Sequence, residues 1–267
     1  IDSFATKGII CSILRPDESD EETLVETISK LALEADIIII DWSLGDNGEK
    51  AKKIIIKILH SDSDIPEQLR LIAIYTGNPD IANISKELKS VLKECSINDD
   101  GFSMYTPTLR VSIYAKPQTS VPKNYSKRII AFENLADKMT EEFTAMTAGL
   151  VSNSVLESLA KIRKNTHKIL RNFSGDLDAP YLTHRALLDK PTDAEDYITT
   201  LIVEELQAIL EERSIGKTSD MNWIKDWLKG NADIENKFKI KDETSVKEFT
   251  LKDICDLLKD GFNNWKK

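Results

Sequence analysis

The chain has 267 residues, 41% hydrophobic and 30% charged, with 45 Asp and Glu against 36 Lys and Arg and a net charge of −9. That length holds one large domain or two ordinary ones, and the acidic balance argues against a general nucleic-acid or anionic-membrane surface, since both need clustered cations. No apolar run approaches the roughly 18 residues of a membrane span, and Cys11, Cys95 and Cys255 are too scattered for a disulfide framework or a metal site, which with the start Ile1-Asp2-Ser3-Phe4 (no signal peptide) points to a reducing cytoplasm.

Residues 8–14, Gly-Ile-Ile-Cys-Ser-Ile-Leu, are expected to form a strand that Arg15-Pro16-Asp17 stops. Over 21–34, Leu24, Ile28, Leu31 and Ala32 fall on one helical stripe. The next stretch, Ala35-Asp36-Ile37-Ile38-Ile39-Ile40-Asp41-Trp42, organises the chain. Four β-branched apolar residues ending on a carboxylate predict a strand buried on both faces, as in a parallel sheet with helices on each side. Ligands of such sheets gather beyond the carboxyl ends of the strands, where Asp41 falls. A Gly-rich loop to Gly48 precedes a helix over 49–59. Residues 69–75 make another strand, ended by Thr76-Gly77-Asn78-Pro79; 81–95 are helical, 98–107 a loop and 109–115 the last strand, followed by Lys116-Pro117. The order βαβαβαβ implies parallel strands with right-handed crossovers.

After Pro122 the periodicity is mostly helical. This change and three prolines (Pro107, Pro117, Pro122) set a boundary between an α/β domain over 1–124 and a helical domain over 125–267. A long helix or helix pair is expected over 126–172 with a break at Gly149, a loop over 175–180 and short helical pieces near 181–188. A strong amphipathic helix covers 193–213 and a Trp-bearing one 220–229. Residues 238–240 are compatible with a short strand, and Thr250 caps a last helix that runs to Gly261.

Three strand ends therefore carry polar residues: Asp41, Thr76 and Lys116-Pro117. The set resembles the receiver domain of two-component signalling, a flavodoxin-like parallel sheet of order 2-1-3-4-5. The resemblance implies that Asp41 accepts a phosphoryl group from a histidine kinase or phosphorelay protein. Thr76 then supplies the switch hydroxyl, and Lys116, followed by Pro117, pairs with the phosphoryl oxygens. The chemistry suits these residue types: a carboxylate nucleophile, and an ammonium and a hydroxyl for oxygens that carry charge. It also implies Mg²⁺ between carboxylate and phosphoryl group, with the Ser43 main-chain carbonyl as a further ligand. The likeness is closest to the response receiver proteins of bacterial conflict and antiphage-defence operons. It rests on Phe4-Ala5, Lys7-Gly8-Ile9, Cys11, Arg15-Pro16, Asp41-Trp42, Leu69-Arg70-Leu71-Ile72 and Ile74-Tyr75-Thr76-Gly77. It continues downstream in Thr147-Ala148-Gly149-Leu150 and His184-Arg185-Ala186-Leu187-Leu188.

Two features depart from that pattern. Receivers begin with a strand whose two adjacent acidic residues hold Mg²⁺, whereas residues 1–7 here read as the end of the first helix. The first strand and its acidic pair are thus expected upstream of this numbering, or else the domain is a degenerate receiver without metal. The aromatic that receivers carry three residues before the Lys would fall at Ile113, with Tyr114 one residue nearer, which argues against an aromatic switch.

The resulting expectation is a cytoplasmic phospho-signalling receiver, not an enzyme, with a helical output or docking domain and a role in antiviral defence. Its partners would be a kinase and an effector protein on another chain, without nucleic acid or membrane; a homodimer stays open. A phosphorylation-independent pseudo-receiver scaffold is the alternative. A haloacid-dehalogenase-like phosphatase is disfavoured because Ser43 stands where its second Asp belongs. His167 lacks a phosphotransfer motif and His184 reads as structural. Trp42 reads as packing, Trp223, Trp227 and Trp265 as core or interface anchors, and the acidic stretches 17–22 and 211–212 as solvated.

Overall fold

The computed structural model describes residues 1–14, 26–28, 30–32, 34–44, 47–63, 68–212, 221–230, 239–242, 245–248 and 250–261. The chain forms two compact units, Ile1–Thr147 and Ala148–Lys267. Arg15-Pro16-Asp17, the acidic stretch 17–22, Leu24, Gly45-Asp46, Phe238 and Trp265 lie outside the described residues.

Five strands make the sheet of the first unit: β1 (Ile37–Ile40), β2 (Arg70–Thr76), β3 (Ser96–Ile97), β4 (Ser103–Tyr105) and β5 (Leu109–Ala115), in spatial order β1-β2-β5-β4-β3. β1 and β5 flank β2 and run parallel to it. The second half of the sheet differs from the all-parallel expectation: β4 is antiparallel to β5, and β3 to β4. Residues expected to be a loop at 98–107 therefore include a strand, reached by a tight turn at Gly101, whose φ is +78°.

Period-two alternation along β2 and β5 sorts the side chains onto two faces. On one face, Ile72, Ile74, Val111 and Ile113 meet Ile54, Ile55 and Ile58 of α2 (Glu49–Ser63) and Ile81, Ile84 and Leu88 of α3 (Ile81–Val91). On the other, Leu71, Ala73, Tyr75 and Tyr114 meet Phe4 of the short helix Asp2–Ala5 and Leu135, Ala136 and Met139 of the helix Leu135–Met146. Numbered with the short N-terminal helix as α1, the latter is α4. Every residue of β2 is buried, as an apolar run in a helix-covered parallel sheet requires. This mixed sheet, parallel over β1, β2 and β5 and covered by helices on both faces, is consistent with a flavodoxin-like receiver fold and is followed by a mostly helical region.

One expectation about the first unit is corrected. Residues 9–14 form no strand: among the described residues they pair with no strand, and Ile10 is 90% exposed. An apolar run becomes a strand only where a ladder partner exists, and among the described residues the edge strand β1 pairs only with β2. For the same reason β1 is not sealed on both faces, and Ile39 is 37% exposed. The first compact unit runs to Thr147. Ile129 bridges Ala115, the Ile130 N–H donates to the Ala115 carbonyl at 3.0 Å, and α4 covers the sheet. Arg70, buried at the start of β2, donates to the carbonyls of Ala32 (2.5 Å) and Ala35, and so pins the helical turn at 30–32 to the sheet.

In the second unit, α5 (Leu150–Asn172) starts after Gly149, at the expected break. It is followed by α6 (Asp178–Leu187), α7 (Asp193–Glu212), α8 (Met221–Gly230), a hairpin of β6 (Lys239–Asp242) with β7 (Ser245–Glu248), and α9 (Leu251–Asp260). Asn172 Nδ2 donates to Glu205 Oε1 at 2.8 Å between α5 and α7, and Arg185 pairs with Glu195 at 2.8 Å between α6 and α7. Leu228 and Ile254 form a small core shared by α8 and α9. α9 begins with a reciprocal capping box: Thr250 Oγ1 accepts the Asp253 N–H and Asp253 Oδ2 accepts the Thr250 N–H. No described helix is long and apolar enough to cross a membrane.

Candidate functional site

Strand register assembles the site. Ile40 of β1 pairs with Ile74, and Thr76 of β2 pairs with Ala115. The residues that follow or end these three adjacent parallel strands are Asp41, Thr76 and Lys116, so their carboxyl ends converge. Lys116 Nζ lies 2.5 Å from Asp41 Oδ2, with Asp41 35% and Lys116 28% exposed. The other carboxylate oxygen, Oδ1, accepts the Ser43 N–H at 3.1 Å. Both oxygens of Asp41 are thus held by donors while the group stays open to solvent. Ser43 was expected to contribute its carbonyl; the contact observed is made by its amide.

Local sequence explains each placement. Trp42 turns inward and is 1% exposed within the core formed with α2, which folds the chain back directly after Asp41. Gly48, with φ +96°, lies against the Trp42 indole, and its carbonyl accepts the Lys52 N–H at 3.0 Å to begin α2. After Thr76, side chains and amides bond in relay: Thr76 Oγ1 accepts the Asn78 N–H (3.1 Å), Asn78 Oδ1 the Asp80 N–H (2.9 Å), and Asp80 Oδ1 the Asn83 N–H (3.1 Å), which caps α3. Thr76 itself is fully buried, its hydroxyl engaged in this turn. The Lys116 N–H donates to the Thr76 carbonyl at 2.8 Å, and Pro117, which has no N–H, ends the ladder. Tyr75, which residue patterning did not single out, lies beside the site, with Lys116 Nζ 5.9 Å from its ring centroid.

Ile113, the position of the receiver aromatic, is buried in the α2–α3 core, while Tyr114 faces α4. The Tyr114 hydroxyl donates to Glu142 Oε1 at 2.7 Å, and Ser112 Oγ to Glu142 Oε2 at 3.2 Å. Arg110 Nε lies 2.6 Å from Glu142 Oε2 without hydrogen-bond geometry, as an ion pair. Burial opposes the Glu142 charge, but the Tyr114 hydrogen bond and the Arg110 and Lys138 cations outweigh it and hold the carboxyl below its ordinary range. Burial, reinforced by the Glu142 charge, pushes the Tyr114 phenol upward. Further along, Arg128 donates to Asp100 Oδ2 from Nε at 2.7 Å and to Ser103 Oγ at 3.2 Å. There too burial opposes the carboxylate and the Arg128 bonds outweigh it, keeping Asp100 below its ordinary range. The Glu142 contacts tie β5, and with it Lys116, to α4, and the Arg128 contacts tie the 3₁₀ turn Lys123–Arg128 to β4 and the loop before it.

Mg²⁺ requires near-octahedral oxygen coordination, usually with more than one carboxylate or phosphate ligand. Asp41 is a single carboxylate already engaged by Lys116 and Ser43, and no group of three His, Cys, Asp or Glu among the described residues could hold a metal. This donor set does not by itself fit the ion. Of the two histidines weighed for phosphotransfer, His184 meets Tyr197 in a tilted ring contact at 5.3 Å between centroids, joining α6 to α7, and His167 is exposed on α5.

A helix-covered mixed sheet with carboxylate, hydroxyl and ammonium at the ends of its three adjacent parallel strands is consistent with a receiver-type fold. Residues 1–121 match the family model described as the response receiver domain, and this match supports a response-regulator-like signalling role. No curated protein and no solved structure gives a significant match to the chain.

Proposed function

We propose that the protein is a phosphoacceptor receiver in which Asp41 takes a phosphoryl group from a partner histidine kinase or phosphorelay protein. The observation that carries this reading is the open Asp41 carboxylate held between Lys116 Nζ and the Ser43 amide. A carboxylate oxygen attacks the phosphorus of the partner's phosphohistidine; the O–P bond forms as the P–N bond breaks, and the imidazole leaves with the electron pair and takes up a proton. Lys116, already at the carboxylate, follows the charge onto the phosphoryl oxygens. Thr76 Oγ1 accepts the Asn78 amide and keeps its own O–H to donate to the acyl phosphate, and a turn of the hydroxyl toward the phosphoryl group would be felt in the loop leading into α3. Such a change is the two-state element that would alter contact with an effector protein. Catalysis would be confined to phosphorylation and dephosphorylation of the protein itself. The role in antiphage defence is supported by the resemblance of the chain to receivers of those operons.

The test is intact mass of the full-length protein after incubation with a small acyl-phosphate donor, with and without Mg²⁺. A labile gain of one phosphoryl group in the wild type, absent in Asp41→Asn, is the expected result. No gain in folded wild type, or an equal gain in the variant, refutes the reading. The second reading, a pseudo-receiver scaffold, draws on the lone carboxylate and absence of a metal-ligand cluster among the described residues, and predicts that null result.

A further inference from the structure

Lys116 has a second electrostatic neighbour besides Asp41. Its Nζ stands 5.9 Å from the centroid of the Tyr75 ring, within the range where an ammonium is attracted to an aromatic face. The ring is held from three directions. Its hydroxyl donates to the Ile130 carbonyl at 2.8 Å, Phe132 meets it edge-on with centroids 5.7 Å apart, and it packs in the core that includes Leu135 and Met139. Burial, with the nearby Glu133 charge, pushes the phenol up to about 12, so it remains a hydrogen-bond donor at any physiological pH. Flanking Thr76 in β2 and touching the segment after β5, Tyr75 joins three parts of the domain: the hydroxyl-bearing strand end, the cation, and the 3₁₀ turn Phe132–Asn134 that enters α4.

We propose that Tyr75 is a positioning residue for Lys116. Its ring face holds the ammonium over the Asp41 carboxylate, and its hydroxyl tether to Ile130 holds the ring. The assignment rests on the reading of Asp41 and Lys116 as the phosphoryl site. A lysine stem has many rotamers, and a single ion pair in water restrains it weakly. A fixed π face on the other side narrows that freedom, so the cation is already in place when phosphoryl charge arrives. The two functions of the side chain separate by substitution: Tyr75→Phe keeps the face and loses the tether, whereas Tyr75→Leu loses both.

The experiment combines two measurements on the full-length protein. One is the NMR shift of the Lys116 ε-methylene, which the ring current displaces only if the ammonium end sits over Tyr75. The other is the phosphorylation rate with an acyl-phosphate donor. The ring-current displacement should be present in wild type and Tyr75→Phe and lost in Tyr75→Leu, where the rate falls about two- to five-fold while the Phe variant stays near wild type. Should Tyr75→Leu fail to fold, Tyr75→Met fills the space without a π face and takes its place. An undisplaced methylene in wild type, or an unchanged rate in the folded Leu or Met variant, overturns the assignment and leaves the phosphoacceptor reading standing. A displaced methylene in a wild type that takes up no phosphoryl group overturns the phosphoacceptor reading, and the positioning role with it.

Discussion

Gly48 is the position where one methyl group should do most damage. Its φ of +96° lies in the left-handed region, and a Cβ built there overlaps Cε2, Nε1 and Cζ2 of Trp42, a residue 1% exposed. Forcing an L side chain into that backbone costs about 1–2 kcal/mol, and overpacking the indole costs about 1–3 kcal/mol more. Gly48→Ala should therefore destabilise the first unit by about 2–5 kcal/mol. For a unit of 147 residues this lowers the melting temperature by roughly 10 °C. A double-mutant cycle separates the two terms. Trp42→Ala alone leaves a cavity and costs about 3–5 kcal/mol; in that background the clash is gone, and Gly48→Ala should cost only the backbone strain. The coupling between the positions is then about 1–3 kcal/mol, read from urea unfolding. A cost below about 1 kcal/mol for Gly48→Ala alone, or additive costs in the cycle, would refute the claim that Trp42 is seated on a bare backbone there. The point bears on function because Trp42 directly follows Asp41, and its seat sets where the loop leaves the carboxylate.

Lys116→Met should change folding stability by less than about 1 kcal/mol, because the pair with Asp41 is partly exposed, yet lower the phosphorylation rate about 10²-fold by removing the cation from the phosphoryl oxygens; an unchanged rate would remove Lys116 from the site. Glu142 and Asp100 are both held below the ordinary carboxylate range, so the unfolded chain binds their protons first on acidification. The stability they contribute is complete above about pH 4 and is lost as pH falls through their lower native values; the urea midpoint measured against pH should fall less steeply there in Glu142→Gln, and an identical slope would show that Glu142 is not so held. Tyr75 acts in the opposite direction: raised to about 12, it gives full stability below the ordinary phenol value near 10 and loses it as pH rises through the native one, which Tyr75→Phe should abolish in the same titration. Thr250→Ala should cost α9 about 1 kcal/mol by opening the capping box, visible as faster amide exchange at Asp253 and the residues after it, and unaltered exchange would count against the cap.

How much of this was legible in the chain follows from the range of the forces involved. β1, β2 and β5 could be read because a short apolar run ended by a polar residue is a local signal, and Asp41, Thr76 and Lys116 came with them as the residues at the run ends. Signals of that kind report burial, and they carry no information about pairing. Residues 9–14 have the same apolar character yet form no strand, because a strand also needs a partner in a ladder. Ser96-Ile97 and Ser103-Met104-Tyr105 do form strands, although they are too short and mixed to show alternation, because β5 offers an open edge to β4, and β4 in turn to β3. Prolines near 107–122 mark where local structure breaks, whereas the compact unit ends where long-range contacts end, after α4 has covered the sheet. Glu141 and Glu142 show the limit most clearly. As sequence they are two adjacent acids on one amphipathic helix. In the structure Glu141 meets Lys138 at the surface, while Glu142 is buried against Ser112 and Tyr114 and ion-paired to Arg110. The difference between them lies in β5, about thirty residues away, and no window along the helix could have contained it.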